Sequence, residues 1–112
     1  MKKKQKIVIK VGTSTLTYDN CKLNIRRLEK LCKVIADLQN QGNEMVLVSS
    51  GALAVGMGKL GINNRPEKTN KKQALSAVGQ CELMFMYDKF FDQYNNVMAQ
   101  ILLTKYAVET EQ

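Results

Sequence analysis

Two short stretches carry residue types able to hold an anion. The first is Lys10-Val-Gly-Thr-Ser14, a lysine near the end of an apolar run followed at once by a glycine and two hydroxyl residues. Gly12, Thr13 and Ser14 after a strand can form a concave loop of backbone N–H groups. A lysine beside such a loop acts as a point charge on a phosphate. The second is Ser49-Ser-Gly-Ala52, which follows another apolar run and leads into a segment of small residues. A serine hydroxyl caps a helix by accepting from an orphan N–H of its first turn, and glycine lets the backbone come close to whatever sits there. A strand feeding a helix through Ser50, Gly51 and Ala52 presents free N–H groups and the positive end of a helix dipole. That arrangement suits a carboxylate or a phosphate. Each stretch has a plainer alternative: a strand-end lysine snorkelling above an ordinary turn, and an ordinary capped strand–helix connection.

The elements around these stretches decide between the readings. Residues 7–11 form a first strand, and residues 18–23 a polar connection. Asn24 then caps a helix over 25–41, in which Ile25, Leu28, Cys32, Ile35 and Leu38 recur at spacings of three and four as one apolar stripe. Gly42 closes it as a left-handed cap. Residues 45–48 lack polar alternation, as in a strand buried on both faces of a parallel sheet. Strand, helix and strand make a right-handed crossover with parallel strands. Both anion-type stretches then lie at the same sheet edge, where open parallel sheets bind ligands. This convergence favours the functional reading.

Further along, Gly56-Met-Gly-Lys-Leu-Gly61 has the letters of a dinucleotide fingerprint but not its place, because the fingerprint belongs in the turn directly after a strand. Nor is Gly51 to Gly56 a Walker loop, since Met57 follows where Lys-Ser/Thr is required. Gly56 and Gly58 suit close helix–sheet packing, and Gly61 ends the segment. Residues 62–68 form a loop around the single proline, Pro66. A long helix is expected over 69–94, with Ala74, Leu75, Val78, Leu83, Met86, Phe90 and Phe91 as apolar positions and Gly79 as a bend or close contact. A third strand is expected over 97–104, and the opening of another helix over 107–112. The expected class is α/β, with three parallel strands and three helices making half of a sandwich.

Composition removes several classes. Of 112 residues, 45% are hydrophobic and 24% charged, as in an ordinary globular protein. No run approaches a membrane span. Lys10 and Gly12 break the segment after the basic start, so no signal-peptide core forms, and the cytoplasm is the expected location. Cys21, Cys32 and Cys81 lack metal spacing, and their odd number argues against a disulfide framework. Cys32 lies on the helix stripe and reads as core. No histidine is present, so no imidazole serves as a base. The net charge of +7 draws on lysines at the start and in Lys68, Lys71 and Lys72. Without interleaved aromatic residues they read as a solvated tail and loop, and nucleic-acid binding is the poorer alternative.

Four blocks, Lys10-Val-Gly-Thr-Ser-Thr-Leu16, Val48-Ser-Ser-Gly-Ala52, Ala77-Val-Gly-Gln80 and Gln100-Ile-Leu-Leu-Thr104, stand in an order and spacing that resemble the N-terminal part of the amino-acid kinase family. Val11-Gly12-Thr13 is similar to the glutamate-phosphorylating branch; aspartokinases carry an aromatic and paired glycines after the lysine. The resemblance implies a parallel-sheet αβα sandwich, with residues 1–112 as an incomplete N-terminal half on its glutamate-binding side. It implies transfer of the γ-phosphate of ATP, accompanied by Mg2+, to the side-chain carboxylate of L-glutamate, yielding L-glutamyl 5-phosphate for proline synthesis. Lys10 would be the catalytic lysine at the transferring phosphate. Lys10, Gly12, Thr13 and Ser14 would bind ATP phosphates, and Ser50, Gly51 and Ala52 would hold glutamate.

No metal ligand is expected in this stretch, and the full-length family enzyme is expected to be a homo-oligomer. Phosphoryl transfer rests on positioning and charge neutralisation, so the missing histidine is no obstacle. Family members continue through acidic substrate contacts and a nucleoside pocket, so the 112 residues alone are expected to be inactive. The competing expectation is a non-catalytic remnant that only binds an anion.

Overall fold

The computed structural model describes residues 4–100. Two strands, β1 (Lys6–Val11) and β2 (Glu44–Ser49), pair in parallel, with Lys6 opposite Glu44 and Val11 opposite Ser49. Between them runs α2 (Ile25–Asn40), preceded by the single-turn α1 (Thr13–Leu16). After β2 come α3 (Ala52–Leu60) and the long α4 (Thr69–Asp92).

Local signals set most of these boundaries. The Asn24 side chain accepts from the Arg27 N–H and starts α2. Gly42 and Gly61, both at positive φ, follow the ends of α2 and α3. The connection after α1 closes on itself through an antiparallel bridge between Thr17 and Leu23. On α2 the buried stripe is Leu28, Cys32, Ile35 and Ala36. Ile25 is exposed and Leu38 half-buried, so the stripe sits one position round from the expected one. On α4 Leu75, Leu83, Met86, Phe90 and Phe91 are buried as expected, Val78 is half-buried and Ala74 is exposed. The core gathers Val11 and Leu16, the α2 stripe, Val55 of α3 and the C-terminal half of α4.

Three expectations change. First, β2 is not buried on both faces: its residues alternate, as do those of β1. Ile9, Met45 and Leu47 pack against the core, whereas Val8, Val46 and Val48 are 61%, 41% and 42% exposed. The described helices cover only one face, and a valine-rich strand reads the same whether one face or both are covered. Second, Gly56 serves helix–helix contact, not the helix–sheet contact expected of it, and Gly79 makes its expected close contact on the facing helix. A Cβ on Gly56 would run into the Leu75 carbonyl oxygen of α4, and one on Gly79 into the Ala52 carbonyl oxygen of α3. Gly58 stands in the same way against the Cys21 carbonyl. Third, residues 97–100 form no strand. An apolar segment becomes a strand only by finding a ladder partner, and Val97 is fully exposed. Residues 101–104, and the helix expected over 107–112, lie outside the described residues.

Candidate active site

Parallel pairing in register brings the C-terminal ends of β1 and β2 level, and the chain locks them together just beyond. The Ser50 N–H donates to the Val11 carbonyl at 3.2 Å, and the Ser50 hydroxyl donates to the same carbonyl at 3.3 Å. This corrects the capping role expected of serine, since the hydroxyl is spent on the neighbouring strand. The residue that starts α3 is Gly51, at φ +92°, with no side-chain hydrogen bond to the first turn. A Cβ on Gly51 would stand 2.9 Å from Thr13 Oγ1 and 3.2 Å from Thr13 Cα. The glycine therefore admits Thr13, where the sequence suggested that it admits a ligand.

The stretch after β1 is also not an open loop. Gly12 starts α1, again without a side-chain cap, and Thr13 and Ser14 are its first residues. Thr17 Oγ1 donates to the Thr13 carbonyl at 3.0 Å, and the Arg27 guanidinium reaches the Ser14 carbonyl at 3.3 Å. Two helix starts thus meet at one sheet edge, each lacking a side-chain cap. The first N–H groups of a helix have no partner inside it. Both starts therefore present donors where Thr13 meets Gly51.

Lys10 lies opposite Val48 on the uncovered face, two residues before Gly12. It is exposed, and the ion pair found among the described residues, Lys59 with Glu82 at 3.1 Å, does not involve it. Gly12, Thr13, Ser14 and Ser50 are exposed; Gly51 and Ala52 are half-buried. Lys10, Gly12, Thr13 and Ser14 are thus set at the same edge as Ser50, Gly51 and Ala52.

Behind this edge is a contact that sequence reasoning missed. Tyr87 of α4 is 1% exposed, and its hydroxyl lies 2.9 Å from Ser49 Oγ at the end of β2. Burial pushes its phenol above the ordinary 10.0, with the Ser49 hydrogen bond acting in the opposite direction. The spacing Leu83, Tyr87, Phe91 held the signal, because residues four apart share a helix face. Cys32 is fully buried, and burial raises its thiol from 9.0 to about 12, which keeps it neutral in the core as expected. Among the described residues, no group of three His, Cys, Asp or Glu side chains comes together to hold a metal. No helix described is long and apolar enough to cross a membrane.

The amino acid kinase family model matches residues 5–112. The chain belongs to the amino acid kinase family. As a member, it is 55% identical over 111 residues to a protein of Clostridium perfringens named glutamate 5-kinase, covering 99% of this chain and 41% of that relative. A glutamate 5-kinase of Thermoanaerobacter sp. (strain X514) is 54% identical over 89% of the chain and 27% of its own length. One of Listeria innocua is 50% identical over 94% of the chain and 38% of its own length. The chain therefore spans less than half the length of these curated relatives. A two-stranded parallel sheet with packed helices fits an incomplete α/β fold of this family.

Proposed function

We propose that this chain builds the glutamate and phosphate edge of a glutamate 5-kinase. The observation that carries the reading is the meeting of two uncapped helix starts at the C-terminal edge of the parallel strands, with Lys10 beside the first. Two anions must be brought together in this reaction, a carboxylate and a triphosphate. Two donor-rich turns in contact suit that demand. The relatives named above support the choice of glutamate.

In this reading a side-chain carboxylate oxygen of glutamate attacks the γ-phosphorus of ATP. A new P–O bond forms, the bond to the bridging oxygen breaks, and ADP leaves with that electron pair. No proton need move, so a site without histidine is adequate. Gly12, Thr13 and Ser14 hold the phosphates through N–H groups and hydroxyls, while Ser50, Gly51 and Ala52 hold glutamate. Lys10 neutralises the charge growing on the bridging oxygen. Mg2+ enters this reading with ATP, as the ion that offsets charge on its phosphates.

Residues 1–112 then belong to the N-terminal part of the kinase domain, on its glutamate side. The same reading places the protein in the cytoplasm, where its two substrates are, and makes it a homo-oligomer. The test is ADP release by the polypeptide as its gene encodes it, with and without L-glutamate. Glutamate-dependent release is expected. Its absence, with phosphate binding retained, would leave an anion-binding protein instead.

A further inference from the structure

We infer that Tyr87 is a positioning residue for the carboxylate-holding turn, acting through Ser49; the inference rests on the glutamate 5-kinase reading. Tyr87 sits in the core on α4, with Phe91 stacked on its ring at a centroid distance of 6.3 Å. A buried phenol needs a hydrogen-bond partner, and this one has Ser49 Oγ at 2.9 Å. Nothing about packing demands the hydroxyl, since phenylalanine would fill the same space between α2 and α4.

The position of Ser49 gives the contact its meaning. It is the last residue of β2 and directly precedes Ser50-Gly51-Ala52. On the β1 side, the turn is held by the two Ser50 bonds to the Val11 carbonyl and by Thr13 against Gly51. On the core side, the Ser49–Tyr87 bond is its polar anchor. The helix carrying Tyr87 also packs against α3 through the Gly56 and Gly79 crossing. One rigid helix therefore fixes both the residue before the turn and the helix after it. Freed from Tyr87, Ser49 can rotate, and the N–H groups of residues 51 and 52 lose their fixed aim.

Tyr87→Phe and Ser49→Ala test this in the full gene product, with separate KM values for glutamate and ATP measured well below Tm. Each variant should raise the glutamate KM roughly three- to tenfold, the range expected for one net hydrogen bond. The ATP KM should stay within about twofold in both. The double variant should be no worse than either single, because both remove one contact. Ser49→Thr, which keeps the hydroxyl, should retain the wild-type KM. An equal rise in both KM values, or a lowered Tm with neither KM changed, would overturn the inference. If wild-type protein shows no glutamate-dependent turnover, the parent reading fails, and backbone amide shifts decide the positioning claim alone. Shifts in Tyr87→Phe centred on residues 49–52 would sustain it; an unchanged turn would end it.

Discussion

Two turns follow two parallel strands, and in each a glycine starts the helix beyond, yet the glycines answer different needs. Gly12 has φ −104° and ψ 178°, extended backbone open to any residue, and a Cβ there would meet nothing within 4 Å. Gly51 has φ +92°, with Thr13 Oγ1 2.9 Å from where a Cβ would be. The fold itself requires Gly51 and does not require Gly12. A side chain at Gly12 would face open space, whereas at Gly51 it would face the neighbouring turn. The second turn is the rigid partner, braced by Val11, Thr13 and, through Ser49, Tyr87. The first is the open one, with Lys10 beside it.

The contrast is most easily broken at Gly51. Gly51→Val places a β-branched residue in the left-handed region against Thr13. Strain and overpacking together should cost roughly 2–5 kcal/mol, a fall in Tm on the order of 10 °C. A melting curve within a degree or two of wild type would show that Thr13 yields and the second turn is not rigid. Lys10→Ala should leave the circular dichroism spectrum and Tm unchanged, because the side chain is exposed and in no ion pair among the described residues. It should still lower kcat about a hundredfold or more, by analogy with the loss of one preorganised electrostatic group. A kcat within a few-fold of wild type would make Lys10 an ordinary strand-end lysine.

Ser50→Ala is a smaller perturbation. It removes one of two donors to the Val11 carbonyl and should cost about 0.5–1 kcal/mol of stability. The glutamate KM should rise a few-fold with it, through a looser turn. A stability loss with KM unchanged would mark the turn as scaffold. Gly12→Ala sharpens the comparison from the other side. With a compatible φ and open space, alanine should hold Tm level or raise it slightly by restricting the unfolded chain, an effect of about 0.4–1 kcal/mol. The ATP KM should rise all the same, as a methyl group intrudes on the phosphates. A Tm loss like that of Gly51→Val would erase the distinction between the turns.

How much of this was legible in the sequence follows from the range of the interactions. The Asn24 cap, Gly42 and Gly61 are local, and their signals lie within a few residues of the boundaries they set. The convergence of the two turns was legible too, because a strand–helix–strand crossover leaves little choice of topology. The Ser49–Tyr87 bond joins residues 38 apart in sequence, and no local pattern links them. The role of Gly51 was misplaced for the same reason: Thr13, the neighbour that demands it, belongs to another turn. The open sheet face was misread because Val8, Val46 and Val48 satisfy any apolar environment, and their exposure depends on what packs above them. Residues 97–100 have no neighbouring strand among the described residues to complete a ladder.

The central claim is that the two turns hold two different anions side by side. Amide chemical shifts of 15N-labelled protein, followed while L-glutamate and then a non-hydrolysable ATP analogue are titrated in, test it most directly. Glutamate should move the amides of residues 50–52, and the nucleotide those of residues 12–14, with Thr13 responding to both because it touches Gly51. Both ligands perturbing the same single turn, or shifts confined to residues away from this edge, would contradict the account.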